Sequence, residues 1–143
     1  MKHEEKRTVP ITIRGVAADV DKATAPETIG TLWGRAAQLG AIGASGPTYG
    51  VYTDYADRLA NRYRVVVGQE ASAGETSVTL PAGDYVVFED RGPAAEVAQR
   101  LWNHVWTAWE ERDRRTFDVD FERYEGSPDD AKVSLFIHVT PAK

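Results

Sequence analysis

Residues 92–125, GPAAEVAQRLWNHVWTAWEERDRRTFDVDFERYE, decide how the fold is read. Gly92-Pro93 opens a helix, after which Val97, Leu101, Val105 and Trp109 recur every fourth residue with Trp102 and Trp106 alongside them. This spacing predicts an amphipathic helix running to about Asp113. From Val119 to Glu125 the period falls to two, so Asp120, Glu122 and Tyr124 share one face of a strand while Val119, Phe121 and Arg123 share the other. A further strand, Lys132 to Thr140, follows the turn formers Gly126-Ser127-Pro128-Asp129-Asp130 and is closed by Pro141.

Working towards the N-terminus, Asp84 to Glu89 and Thr76 to Leu80 read as strands flanking the turn Pro81-Ala82-Gly83. Before them, Thr48 to Thr53 and the valine-rich Arg62 to Gln69 are strands separated by the polar stretch from Asp54 to Asn61. An earlier helix starts at Thr24-Ala25-Pro26-Glu27, carries Ile29, Leu32, Trp33, Ala36 and Leu39 on one face, and stops at Gly40. The first strand lies within Thr8 to Val16 and begins just after Pro10. The order strand, helix, strand, strand therefore occurs twice with a linking strand between, which points to an internal duplication. Leu32-Trp33 followed by Gly50-Val51-Tyr52-Thr53-Asp54 is echoed by Val105-Trp106 followed by Glu122-Arg123-Tyr124-Glu125-Gly126. Short turns favour antiparallel pairing, and two helices cover only one face of so many strands, so an α+β class is expected with the other face, or a groove between the halves, left for function.

The 143 residues suit a single domain, with residues 1–7 expected to be flexible, and a hydrophobic content of 42% suffices for one core. A net charge of −5 weighs against nucleic acid and anionic membranes as partners and favours cations. The absence of cysteine removes disulfides, thiolate nucleophiles and cysteine metal sites. The charged opening Met1-Lys2-His3-Glu4-Glu5-Lys6-Arg7 is followed by no long apolar run, so a cytoplasmic location is the expectation. His3, His104 and His138 are too scattered for a metal motif, and His138 reads as a satisfied structural residue. The glycine-rich stretch from Gly40 to Gly46 follows a helix instead of opening one and lacks the lysine of a phosphate-binding loop, so it reads as a connection. Neither a cofactor nor a metal is expected.

Glu122 is the leading candidate for chemistry. A carboxylate held mid-strand among aromatic rings is a seat for an organic cation, through charge pairing and attraction to the ring faces; against this stands the ordinary strand glutamate that points into water. Tyr52, Tyr85, Trp106 and Tyr124 are the expected walls, with Trp33 and Trp109 beside them, although an aromatic stripe at helical spacing also serves core packing and Trp102 and Trp109 fit that use.

Gly50-Val51-Tyr52-Thr53-Asp54 with Arg62-Tyr63-Arg64-Val65-Val66-Val67-Gly68, then Leu80-Pro81-Ala82-Gly83-Asp84-Tyr85, the tryptophan-rich helix and Asp120-Phe121-Glu122-Arg123-Tyr124-Glu125-Gly126 together resemble the GyrI-like small-molecule-binding domain, the effector-binding domain of bacterial transcription activators. The resemblance extends over most of the chain through short motifs in matching order. It implies two strand-helix-strand-strand units related by a pseudo-twofold axis, a curved, largely antiparallel sheet covered by two helices, and a ligand cleft between the units with a strand glutamate at its floor, matched here by Glu122. Members of that family sense lipophilic, often cationic compounds, usually when fused to a DNA-binding segment; others act alone, inhibit gyrase or hydrolyse cyclopropane-containing toxins. The first strand follows the start so closely that no helix-turn-helix precedes it, so direct transcriptional activation is not expected. The expected function is thus a stand-alone binding protein that senses or sequesters an amphipathic cation. The alternatives are a hydrolase of strained or electrophilic molecules with Glu122 as general base, and a protein-interaction inhibitor such as a gyrase inhibitor.

Overall fold

Valine, isoleucine, threonine and aromatic residues suit a pleated, half-buried surface, and they fill the strand segments of this chain. The computed structural model describes residues 3–8, 10–38, 46–57, 61–71 and 78–141. Its strands are β1 (His3–Thr8), β2 (Ile11–Asp21), β3 (Thr48–Thr53), β4 (Arg62–Glu70), β5 (Val78–Leu80), β6 (Gly83–Gly92), β7 (Arg115–Ser127) and β8 (Asp130–Val139), with helices α1 (Ala25–Gln38) and α2 (Ala94–Thr107). All eight strands join one sheet in the order β1-β6-β8-β7-β3-β4-β2-β5, every neighbouring pair antiparallel.

That order reads the same from either end once the halves are matched. β2-α1-β3-β4 corresponds to β6-α2-β7-β8, the central neighbours β3 and β7 meet at the middle, and β5 and β1 extend the two edges in the same manner. The pseudo-twofold duplication is therefore built into the sheet. Superposing the two 14-residue helices pairs Leu32 with Leu101 and Ala36 with Val105, all buried, and pairs Trp33 with Trp102. The sequence echo that set Trp33 against Trp106 is thus displaced by one helical turn: Trp102 flanks the buried stripe, whereas Trp106 falls further round the helix and is 54% exposed.

Both faces of the sheet are apolar. α2 covers Val86, Phe88, Val133, Leu135 and Ile137, and α1 covers Val20, Val65 and Val67. On the helix-free face the sheet curls around Ile13, Val51, Val66, Tyr85, Val87, Phe121 and Phe136. Burying a side chain such as Leu101, which is fully enclosed, contributes about 1.5–3 kcal/mol, and truncating it to alanine costs about 2–5 kcal/mol.

Several boundaries differ from the sequence reading, among them β2, which continues past Val16 to Asp21, and β6, which continues past Glu89 to Gly92. Of residues 1–7, expected to be flexible, residues 3–7 belong to β1, which pairs along β6 from His3 opposite Phe88 to Thr8 opposite Gly83. α2 ends at Thr107 and not near Asp113, because the N–H groups of Ala108 and Trp109 both donate to the His104 carbonyl and the chain turns to bury Trp109 against Phe88, with ring centroids 5.3 Å apart. A 3-10 turn, Arg112–Arg114, then leads into β7, which begins at Arg115 and carries an irregularity before Asp120. Strand β1 was missed because its sequence, HEEKRT, has no apolar face to announce it. Leu39, Gly40 to Ser45 and the start of the Thr76 to Leu80 strand lie outside the described residues. No described helix is long and apolar enough to cross a membrane.

Candidate functional site

Alternation along β7 turns Asp120, Glu122 and Tyr124 towards the helices, as the sequence pattern requires, and Glu122 is only 2% exposed. Its carboxylate accepts three hydrogen bonds: Trp102 Nε1 donates to Oε2 at 2.6 Å, Tyr52 Oη to Oε2 at 3.0 Å and Tyr124 Oη to Oε1 at 2.6 Å. All three donors are neutral. Among the described residues no basic side chain pairs with Glu122. Burial raises its pKa above the ordinary 4.5, and the bonds from Tyr124, Trp102 and Tyr52 oppose that rise. Tyr52 and Tyr124 are themselves pushed well above 10.0, by burial first and then by the charge of Glu122, so both remain hydroxyl donors.

Glu122 stands beside the pseudo-twofold axis, which passes between it and Gly50. In the β3–β7 ladder it faces Gly50, while Thr48 faces Tyr124 and Tyr52 faces Asp120. The duplication therefore maps Tyr52 onto Tyr124 and Gly50 onto Glu122. The rings obey it: Trp33 meets Tyr124 edge-on at 5.2 Å, and Trp102 meets Tyr52 edge-on at 5.3 Å. At the Gly50/Glu122 position the acid breaks the symmetry, and it does so because Gly50 leaves room. A Cβ on Gly50 would stand 2.9 Å from Glu122 Oε1 and 3.3 Å from Trp33 Cζ2.

A second polar cluster adjoins the first through Trp102. Asp120, with no exposed surface, takes Arg115 Nη2 at 2.7 Å, Arg115 Nε at 3.2 Å and Tyr55 Oη at 2.7 Å, all on Oδ2. The Arg115 guanidinium is stacked 4.1 Å over Phe117 and lies 5.5 Å from the Trp102 ring centre. Burial pushes the Asp120 carboxyl up against the pull of Arg115 and Tyr55.

The structure brings together Glu122, Tyr52, Tyr124 and Trp33, as the sequence reading expected, but separates the remaining wall candidates. Tyr85 lies on the opposite face of the sheet, stacked on His138 and edge-on to Phe121, with its hydroxyl donating to the Pro81 carbonyl. The period-two alternation of β6 puts it there, on the face around which the sheet curls. Trp109 is buried in the core beneath α2, and Trp106 touches the site only through Trp102, at 5.7 Å. Trp102 stands beside Glu122 and Tyr52, where the sequence reading expects Trp106. Tyr55 and Arg115 carry no signal in the sequence reading; Tyr63, a strand tyrosine that the reading counts as suited to a pocket, joins Tyr52 and Tyr55 in a ring cluster, at 6.1 Å and 5.6 Å. Helical phase would have selected Trp102, whereas nothing local to Arg115 signals that it folds back over Trp102. His138 is held by Asp118 at 2.6 Å. Among the described residues no set of three or more His, Asp or Glu side chains is arranged to hold a metal. A separate open groove of about 360 Å³, lined by Ala18, Glu27, Thr28, Thr31, Leu32 and Arg35, includes none of the Glu122 cluster.

Comparison with known proteins follows the same outline. Residues 3–139 match the Cass2 family of integron-associated effector binding proteins. The chain is 32% identical over 94 residues to YobU of Bacillus subtilis, a protein named as a transcriptional regulator; the match spans 63% of this chain and about half, 51%, of YobU. The integron cassette protein VCH_CASS2 of Vibrio cholerae superposes with a TM-score of 0.80 at 24% identity, covering 96% of this chain and 95% of that one. SAV2435, solved with tetraphenylphosphonium bound, superposes with a TM-score of 0.79 at 16% identity, covering 98% and 94%. At these identities the two structures establish the fold, and that fold is GyrI-like α+β.

Proposed function

The chain belongs to the Cass2 family of integron-associated effector binding proteins, and from that premise we propose that it captures small amphipathic organic cations, for sensing or sequestration, with Glu122 as the charged anchor. The observation that carries this reading is a buried carboxylate without a cationic partner among the described residues. Such a charge is costly to hold, and a ligand cation supplies the missing counter-charge in a setting where the pair is poorly screened. Tyr52, Tyr124, Trp33 and Trp102 add ring faces and edges around it, which suits a flat or aryl-substituted cation. The binding of tetraphenylphosphonium, a lipophilic cation, by SAV2435 supports the same class of ligand here.

The rings close over Glu122, so a ligand must displace one of them. Trp33 is the movable candidate: it is half-buried and rests on the edge of Tyr124, whereas Trp102 is tied to Glu122 by its N–H. A panel of cationic dyes titrated against tryptophan fluorescence tests the reading, with Glu122→Gln as the control. Loss of cation binding in that variant, with neutral aryl compounds little affected, supports the anchor; equal losses for both classes contradict it. Recovery of an electrophilic ligand unchanged after incubation separates capture from hydrolysis.

A further inference from the structure

The site contains a cation of its own. We propose that Arg115 is a resident counter-ion that sets the valence of the ligand, neutralising Asp120 so that Glu122 alone is uncompensated and a monocation is taken in preference to a dication. The proposal rests on the cation-binding reading of Glu122 and adds to it which cations qualify.

Two carboxylates face the helices from alternate positions of β7, Asp120 and Glu122, with 0% and 2% exposure. Alternate residues of a strand are about 7 Å apart, a separation that the two charges of a compact organic dication match. Left to themselves, they would favour such a ligand. Arg115, 7% exposed, removes one of them from play through two hydrogen bonds to Asp120 Oδ2, at 2.7 and 3.2 Å.

Arg115 also occupies ring surface. Its guanidinium lies over the ring of Trp102, 5.5 Å from its centre, and the N–H at the edge of the same indole reaches Glu122 at 2.6 Å, so cation and anion share one aromatic wall. A second ligand charge directed to Asp120 finds Arg115 already on its Oδ2, and like charges at close range in a desolvated site repel strongly. The opposite side has no such pair: the pseudo-twofold places Thr48 where Asp120 stands, and Thr48 carries no charge. The valence control is therefore confined to the α2 half.

Ethidium and propidium test this, because they share one phenanthridinium ring and propidium adds a second cationic group on a short alkyl arm. Both are titrated by fluorescence at fixed ionic strength, with circular dichroism to verify folding. The wild-type protein is expected to bind propidium no more tightly than ethidium. Arg115→Met is expected to move the propidium-to-ethidium preference by about tenfold or more towards propidium. Asp120→Asn, which leaves Arg115 unopposed, is expected to weaken ethidium by about tenfold, and the double variant to recover most of that loss. A wild-type preference for propidium overturns the proposal, and so does ethidium binding in Asp120→Asn that equals wild type. If Arg115→Met does not fold, these two comparisons still decide. Ethidium binding that needs Glu122 but ignores Asp120 and Arg115 defeats this proposal alone; ethidium binding indifferent to Glu122→Gln defeats the cation reading of the site as well.

Discussion

Gly50 and Glu122 face each other in the β3–β7 ladder and occupy the same place in the two halves of one duplicated unit. One half has given up its side chain, and the other has filled the vacated space with a carboxylate. An off-centre charge follows from that exchange, together with rings that approach it in matched pairs from both helices.

Gly50→Ala tests whether the space is needed. The added methyl would lie 2.9 Å from Oε1 of Glu122, whose carboxylate is held in place by three hydrogen bonds, and 3.3 Å from Trp33. The expected result is a stability loss of about 1–3 kcal/mol in denaturant titrations and weaker cation binding in the same sample. Unchanged affinity would show that the carboxylate has room to spare.

Glu122 also leaves a signature on stability. Its folded-state pKa is raised by burial, so the folded protein holds the proton more tightly than the unfolded chain does. Its contribution is fully present below the ordinary value of 4.5 and is lost as pH rises through the raised value. Wild type minus Glu122→Gln, measured by thermal melts from about pH 4 to about pH 8, should therefore decline with increasing pH. Asp21 and Asp118, whose pKa values are lowered, bend the curve the other way in both proteins and cancel in the difference.

Proton and ligand compete for the same oxygens. Cation affinity should rise with pH through the window above 4.5 and then level off, and should be flat in Glu122→Gln. Isothermal titration in two buffers of different ionisation enthalpy would detect the proton released on binding. A pH-independent wild type would contradict direct engagement of the carboxylate.

The two neighbouring tryptophans of α2 separate cleanly by mutation. Trp102→Phe removes a charge-assisted hydrogen bond worth about 1.5–3 kcal/mol, which should push Glu122 up further and shift the pH dependence of binding to higher pH. Trp106→Ala removes a half-exposed ring that touches only Trp102 within the site and should change affinity less. Titrations of both variants side by side decide between them.

Much of this was legible in the sequence. Period-two alternation from Val119 to Glu125 set Glu122 on the face it occupies, and β3 was bounded at its observed ends. Duplication was visible in the order of elements. What escaped were features that depend on contacts distant in the chain or on a phase finer than the pattern. Trp106 was chosen over Trp102 by position in a repeat, when the angle around the helix decides which ring turns inward. Tyr85 was grouped with the site because tyrosine suits a pocket wall, but its strand phase points it to the other face. Arg115 lies five residues before Asp120 across an irregularity in β7, and only the fold brings its guanidinium back over that carboxylate.

Tetraphenylphosphonium and tetraphenylborate, ions of nearly the same shape and opposite charge, provide the most direct test of the central claim. Calorimetric titration should show the phosphonium binding to the wild-type protein and the borate failing to bind, with Glu122→Gln losing about a hundredfold in phosphonium affinity while remaining folded. Comparable binding of both ions by the wild type, or full phosphonium affinity in Glu122→Gln, would contradict the assignment of Glu122 as the anchor.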